Sequence, residues 1–165
     1  MREEVTALLE NRNELLTITY FKIQELFDKK YGENALVLME IGTFFEVYEV
    51  NNEKEKIGKA KEIAELLNIQ LTRKNKTILE NSKENPIMAG VPAISLEKHL
   101  ARIISEQKYT VVLIKQKGVP PNVSRYLDTV VSPGTNFDFV IDQDENNITS
   151  LLVDQIRGIY LLGYS

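Results

Sequence analysis

The residues V-L-M-E-I-G-T-F-F-E-V-Y-E-V, Val37 to Val50, are mostly apolar and rich in β-branched and aromatic side chains. That composition predicts a strand. Alternate residues of a strand share a face. The odd positions, Val37, Met39, Ile41, Thr43, Phe45 and Val47, are expected to face the core. The even positions are Glu40, Gly42, Phe44, Glu46 and Tyr48. A ring and a carboxylate two positions apart, Phe44 and Glu46, therefore project together from the less apolar side. Gly42 can bend or bulge the strand and leaves the register across it open. By burial tendency alone, Phe44 is a core or half-buried aromatic and Glu46 a solvated strand residue.

Outward from this stretch, helical and extended patterns alternate. Upstream, Leu16, Tyr20, Ile23 and Phe27 stripe an amphipathic helix over Leu15–Tyr31, with Gly32 as its C-terminal cap. Val5, Leu8 and Leu9 mark a short helix before it. Downstream, a polar connector leads to a helix over Ile57–Leu67, a short strand at Ile69–Thr72 and the basic run Arg73-Lys74-Asn75-Lys76. Ile78–Asn85 reads as a mobile polar loop, and Pro86–Pro92 as a short strand. Ser95 is placed to cap a helix whose apolar face is Leu96, Leu100, Ile103 and Ile104, with His99 at its boundary. Tyr109–Lys115 holds the run Val111-Val112-Leu113-Ile114, suited to a sheet covered on both faces. Pro120-Pro121 breaks it, Arg125–Val131 is another strand, and Ser132-Pro133-Gly134-Thr135 carries the signature of a type II turn. This alternation predicts an α/β layered fold. Residues 141–147 read as a linker. Two strand-like runs beyond, around Gln155-Ile156-Arg157-Gly158, read as a hairpin that begins something else. The pattern is still running at Ser165, and the expectation is a piece of a longer protein.

The 165 residues suffice for one domain with a real core and a fragment of a second. There is no cysteine, which excludes a disulfide scaffold and a thiolate metal site and fits a cytoplasmic location. The single histidine, His99, cannot build a histidine metal cluster. No apolar segment is long enough to span a bilayer. The formal net charge is −4, which by itself argues against a nucleic-acid binder. Its distribution changes that view, although solvated lysines without a partner are an equal reading of the charge alone. Residues 70–130 hold 10 basic and 5 acidic side chains, whereas residues 1–69 hold 9 and 14. The middle of the chain is the candidate electrostatic footprint.

Gly42-Thr43-Phe44-Phe45-Glu46-Val47-Tyr48 resembles the G-D-F-Y-E-L-F segment of the MutS family of DNA mismatch repair, with Phe44-Phe45-Glu46 in place of its Phe-x-Glu signature. Three further blocks follow in the family's order. Ile69–Lys74 is similar to I-x-L-T-x-R/K, and Pro86–Pro92, with Glu97 and Leu100 beyond it, to P-x-M-A-G-[IV]-P and its helix. Val130–Thr135 is similar to V-[TS]-P-G-T. The chain departs from the pattern at Thr43, where the family has Asp, and at Phe45, where it has Tyr.

The resemblance implies a mismatch-recognition domain over 15–140, built as a mixed β-sheet flanked by helices. It also implies the first strands of a connector domain over 148–165, while the N-terminal helical extension over 1–14 and the acidic balance are less typical of the family. Mismatched double-stranded DNA is the implied partner. Phe44 would stack on the mispaired base from the minor groove, and Glu46 would hydrogen-bond it. Arg73, Lys74 and Lys76 are candidates for backbone contacts, which position a protein without reading sequence. A MutS-type second subunit and a MutL-type repair factor are implied as partners. ATP and magnesium are implied for the full-length parent only, since no G-x-x-x-x-G-K-[ST] phosphate loop occurs in these residues. No catalytic or metal-binding residue is expected here. Two other readings stand beside this one: a metal-dependent nuclease-like enzyme using Glu40, Glu46 and Glu49, and a protein-interaction module without a DNA role.

Overall fold

Gly42 sits at φ 62°, and there the chain turns back on itself. The computed structural model describes residues 1–135, 149–154 and 159–164. In it the stretch read as one strand is a hairpin of β1 (Ala35–Ile41) and β2 (Phe44–Asn51), paired antiparallel with Met39 opposite Glu46 and Ile41 opposite Phe44. The loop has only two residues, Gly42 and Thr43. A positive φ at the first loop position alone is what a type II′ hairpin turn asks of a glycine.

The turn corrects the expected faces. Antiparallel partners share a face, so Val37, Met39 and Ile41 lie with Phe44, Glu46 and Tyr48. Leu36 and Leu38 lie with Phe45 and Val47. The grouping of Phe44 with Glu46 survives because both residues follow the turn.

The remaining elements are α1 (Arg2–Glu10), α2 (Leu16–Tyr31), β3 (Lys56–Gly58), α3 (Ala60–Leu67), β4 (Thr72–Arg73), β5 (Ile87–Pro92), α4 (Leu96–Ser105), β6 (Thr110–Lys117) and β7 (Ser124–Val131). The strands form one mixed sheet in the order β4-β5-β2-β1-β6-β7, with β3 added to β2. Only β1–β6 is parallel; the other pairs are antiparallel. Two further strands, β8 (Thr149–Asp154) and β9 (Ile159–Tyr164), pair as a separate antiparallel hairpin. The linker expected at 141–147 lies outside the described residues.

Both faces of the sheet are covered, so the central strands are apolar without alternation. On one face α3 and α4 pack Ile63, Leu100 and Ile103 against Leu36, Phe45, Val111 and Leu113. On the other, α1 and α2 pack Val5, Tyr20, Phe21 and Phe27 against Val37, Tyr48, Val112 and Ile114. Each fully buried large side chain is worth roughly 1.5–3 kcal/mol over its exposed state. Tyr20 and Tyr48 meet edge to face at 4.8 Å. The recorded β1–β2 register ends at Met39 and Glu46. Beyond it, α2 satisfies the β1 backbone: Tyr20 Oη donates to the Val37 carbonyl, Gln24 Nε2 donates to Ala35 O, and Val37 N donates to Gln24 Oε1.

Four local expectations are corrected. Ile57 belongs to β3, not to a helix. Gly58 has φ 85°, and a Cβ there would lie 2.0 Å from the Tyr48 carbonyl, so strand pairing demands glycine and α3 starts after it. The strand at Ile69–Thr72 shrinks to Thr72–Arg73. Ser95 does occupy the N-cap position of α4, but its Oγ makes no capping bond and donates to the Pro92 carbonyl, because a 3₁₀ turn over Ala93–Ser95 comes first. Pro133–Thr135 is likewise a 3₁₀ turn, with no positive φ at Gly134 to make a type II turn. Among the described residues, no helix is long and apolar enough to cross a membrane.

Candidate nucleic-acid interface

The sheet face that carries α2 is covered over only part of its length. Tyr48 and Val50 on β2 are buried, but toward the hairpin turn the same face opens. Phe44 stands there, 45% exposed, while Phe45 beside it is 3% exposed. The pleat explains the contrast: Phe45 points into the α3–α4 layer and Phe44 away from it.

Phe44 is held from both sides. Its backbone pairs with Ile41 and with Pro92. Ala93 N donates to the Thr43 carbonyl at 2.8 Å. From β6, Gln116 clamps Gly42 reciprocally: Nε2 donates to Gly42 O at 2.7 Å, and Gly42 N donates to Oε1 at 3.1 Å. Gln116 N donates to Glu40 Oε2, and Arg125 Nε donates to Glu40 O. The aromatic ring is therefore presented on a turn fastened to three other strands. Ile94, fully exposed, lies just past Pro92 at the same end of the sheet.

Glu46 is two residues on, on the same face, with Gly90 opposite it. Its side chain is only 12% exposed. Tyr48 Oη donates to Glu46 Oε2. Lys74 Nζ lies 3.5 Å from the same oxygen and 3.2 Å from Tyr48 Oη. Burial, and then the adjacent Glu46 carboxylate, push the Tyr48 phenol well above its ordinary pKa. Burial lowers the Arg125 guanidinium from its ordinary value, while Tyr48, Glu40 and Glu46 act the other way.

The basic run divides. Lys74 joins the Phe44–Glu46 face. Arg73 pairs with Ile87, which belongs to the α3–α4 side, and its Nη1 donates to the carbonyls of Ile78 and Leu79. Lys76 is exposed on the loop beyond. That loop, expected to be mobile, is tied at Asn85. The Asn85 amide nitrogen donates to the carbonyls of Asn75, Ile78 and Glu80, and Asn75 N donates to its oxygen. Gln116 and Arg125 were not legible as site residues. Arg125 was read only as a strand position and Gln116 lay just past the expected strand end, and nothing local marks a glutamine that bonds 74 residues away.

The three carboxylates of the nuclease reading are each engaged separately: Glu40 with Gln116 N, Glu46 with Tyr48 and Glu49 with Lys61 N. No group of three or more metal-ligating side chains occurs among the described residues.

The MutS domain I family matches residues 20–140. A mutS homolog of Acanthamoeba polyphaga mimivirus, named as a DNA mismatch repair protein, is 32% identical over 151 residues, covering 91% of this chain and 13% of its own length. The DNA mismatch repair protein MutS of Thermosipho melanesiensis is 27% identical over 135 residues, covering 77% of this chain and 14% of its own. The chain thus spans about a seventh of the length of these relatives. With a matching sheet, helices and Phe-x-Glu strand, this chain belongs to the MutS domain I family.

Proposed function

We propose that this chain binds mismatched duplex DNA in mismatch repair, through the open end of the sheet around Phe44. One observation carries the reading: a large aromatic ring stands half exposed on a braced hairpin, with a carboxylate beside it on the same face. A ring inserted from the minor groove unstacks a base step and kinks the duplex, at a cost of a few kcal/mol per step. A mispaired step is already poorly stacked, so the same deformation costs less there. Phe44 then senses deformability, and one wedge serves many lesions.

Glu46 adds a polar test. A carboxylate near phosphates weakens binding to all duplexes, and a hydrogen bond to the displaced base offsets that loss only at a lesion. Lys74 and Lys76 supply backbone contacts, with Lys74 also neutralising part of the Glu46 charge. Arg73 contributes chiefly by holding its own loop. A second MutS-type subunit, a MutL-type factor and an ATP- and magnesium-dependent cycle belong to the full-length parent. The test is binding of the full-length protein to matched and mismatched duplexes, wild type against Phe44→Ala, with thermal melting of both. Loss of discrimination at an unchanged melting temperature is expected. Unchanged discrimination with a large loss of stability would make Phe44 a core residue and sink the reading. Equal, negligible binding of wild type to both duplexes would favour a protein-interaction module.

A further inference from the structure

We infer that Tyr48 is a positioning residue for Glu46, holding one carboxylate oxygen so that the other meets DNA as a hydrogen-bond acceptor for a base N–H. This rests on the DNA-binding reading above. The geometry is asymmetric. Tyr48 Oη and Lys74 Nζ both address Oε2, and among the described residues no donor addresses Oε1. Tyr48 itself cannot swing away. Its ring is fully buried, packed edge to face on Tyr20 and close to Phe21. Only its hydroxyl hydrogen can rotate, and the oxygen lies between Glu46 and Lys74.

A carboxylate has two possible roles toward a displaced base. Ionised, it accepts from an imino or amino group; protonated, it donates to an acceptor such as a purine N7. Tyr48 and Lys74 both meet Oε2 as donors, so the carboxylate is already engaged as an acceptor, which is the first role. The phenol stays a donor, since burial and Glu46 both hold its proton on. The lesion class favoured is then a displaced base whose exposed edge offers N–H, as thymine N3 does, over one read at N7.

The experiment uses the full-length protein and four duplexes: one unpaired thymine, one unpaired N3-methylthymine, one unpaired adenine and one unpaired 7-deazaadenine. For wild type, N3-methylation is expected to weaken binding roughly five-fold or more, the scale of one hydrogen bond, and 7-deaza substitution to change it little. Tyr48→Phe keeps the ring and removes the hydroxyl. It should melt near wild type, lose affinity for unpaired thymine, and show a smaller penalty for N3-methylation. In a Glu46→Gln background, Tyr48→Phe should have little further effect, because the two act as one unit. Wild-type thymine selectivity in Tyr48→Phe, or a penalty confined to 7-deazaadenine, overturns the inference. Phe44→Ala, run in parallel, separates the two levels. If it retains full discrimination the DNA-binding reading fails; if it loses discrimination while Tyr48→Phe does not, only the Tyr48 inference fails.

Discussion

Two glutamines clamp the backbone of the same hairpin, one at each end, and they serve different purposes. Gln24 reaches from α2 to Ala35 and Val37 at the covered end of the sheet. Gln116 reaches from β6 to Gly42 at the open end. Each gives one donor and one acceptor to a strand backbone. Gln24 is 1% exposed and surrounded by side chains, so its bonds replace water that is no longer there. Gln116 works near solvent, where water competes for the same groups. The same amide geometry thus secures the fold in one place and aims a side chain in the other. On the proposed reading, stability and function are separated along one strand pair, over some ten residues.

The separation is sharpest for two aromatics on the α2 face. Phe21→Ala is expected to cost about 3–5 kcal/mol, since the ring is fully buried. Phe44→Ala is expected to cost under about 1 kcal/mol, as a surface change, yet remove mismatch discrimination. Denaturant melts paired with heteroduplex titrations check both; a stability loss at Phe44 comparable to that at Phe21 would erase the distinction. Next in size, Gln24→Ala strands Ala35 O and Val37 N away from water and should cost about 2–3 kcal/mol, measured as a shifted midpoint with little effect on relative affinities. Gln116→Ala should cost less, about 0.5–1.5 kcal/mol, and should loosen discrimination, because Gly42 loses its side-chain partner. If Gln116→Ala changes stability more than Gln24→Ala, the two ends are not energetically distinct.

The smallest effect is electrostatic. Glu46→Ala removes a negative charge and frees Lys74, so homoduplex binding should strengthen a few-fold at low salt and the mismatch ratio should fall. Screening acts over about 8 Å at physiological ionic strength, so the homoduplex gain should shrink as salt rises. Affinities at two salt concentrations decide it; unchanged or weaker homoduplex binding at low salt removes the repulsive role from Glu46.

Much of this is legible in the amino-acid sequence. The helix of Tyr20, Ile23 and Phe27 and the doubly buried run Val111–Ile114 follow from periodicity, which is set by the very burial it reports. The Phe44–Glu46 pair was legible because two-residue spacing within one strand is local. The hairpin was not. Val37–Val50 has no charge-rich break, and a turn of two residues leaves almost no compositional trace beyond one glycine. A missed turn then inverted the face of every residue before it. Tyr48 was placed on the right face, but the lysine that meets its hydroxyl and the Glu46 carboxylate lies 26 residues away in sequence. Arg73 shows the opposite failure. A basic run suggests phosphates, whereas alternation along β4 sends Arg73 to the far side from Lys74.

The position of Arg73 has a consequence for solubility. β4 is the outermost strand on its side of the sheet and has two residues. A longer strand there would offer a row of free amides and carbonyls to any neighbouring chain, the usual template for intermolecular pairing. Instead the strand stops at Arg73, whose guanidinium binds the chain that follows across the edge. Lys74 N closes the register onto Pro86 O, and the Asn85 knot keeps the intervening turn folded over it. The edge is too short to recruit a foreign strand.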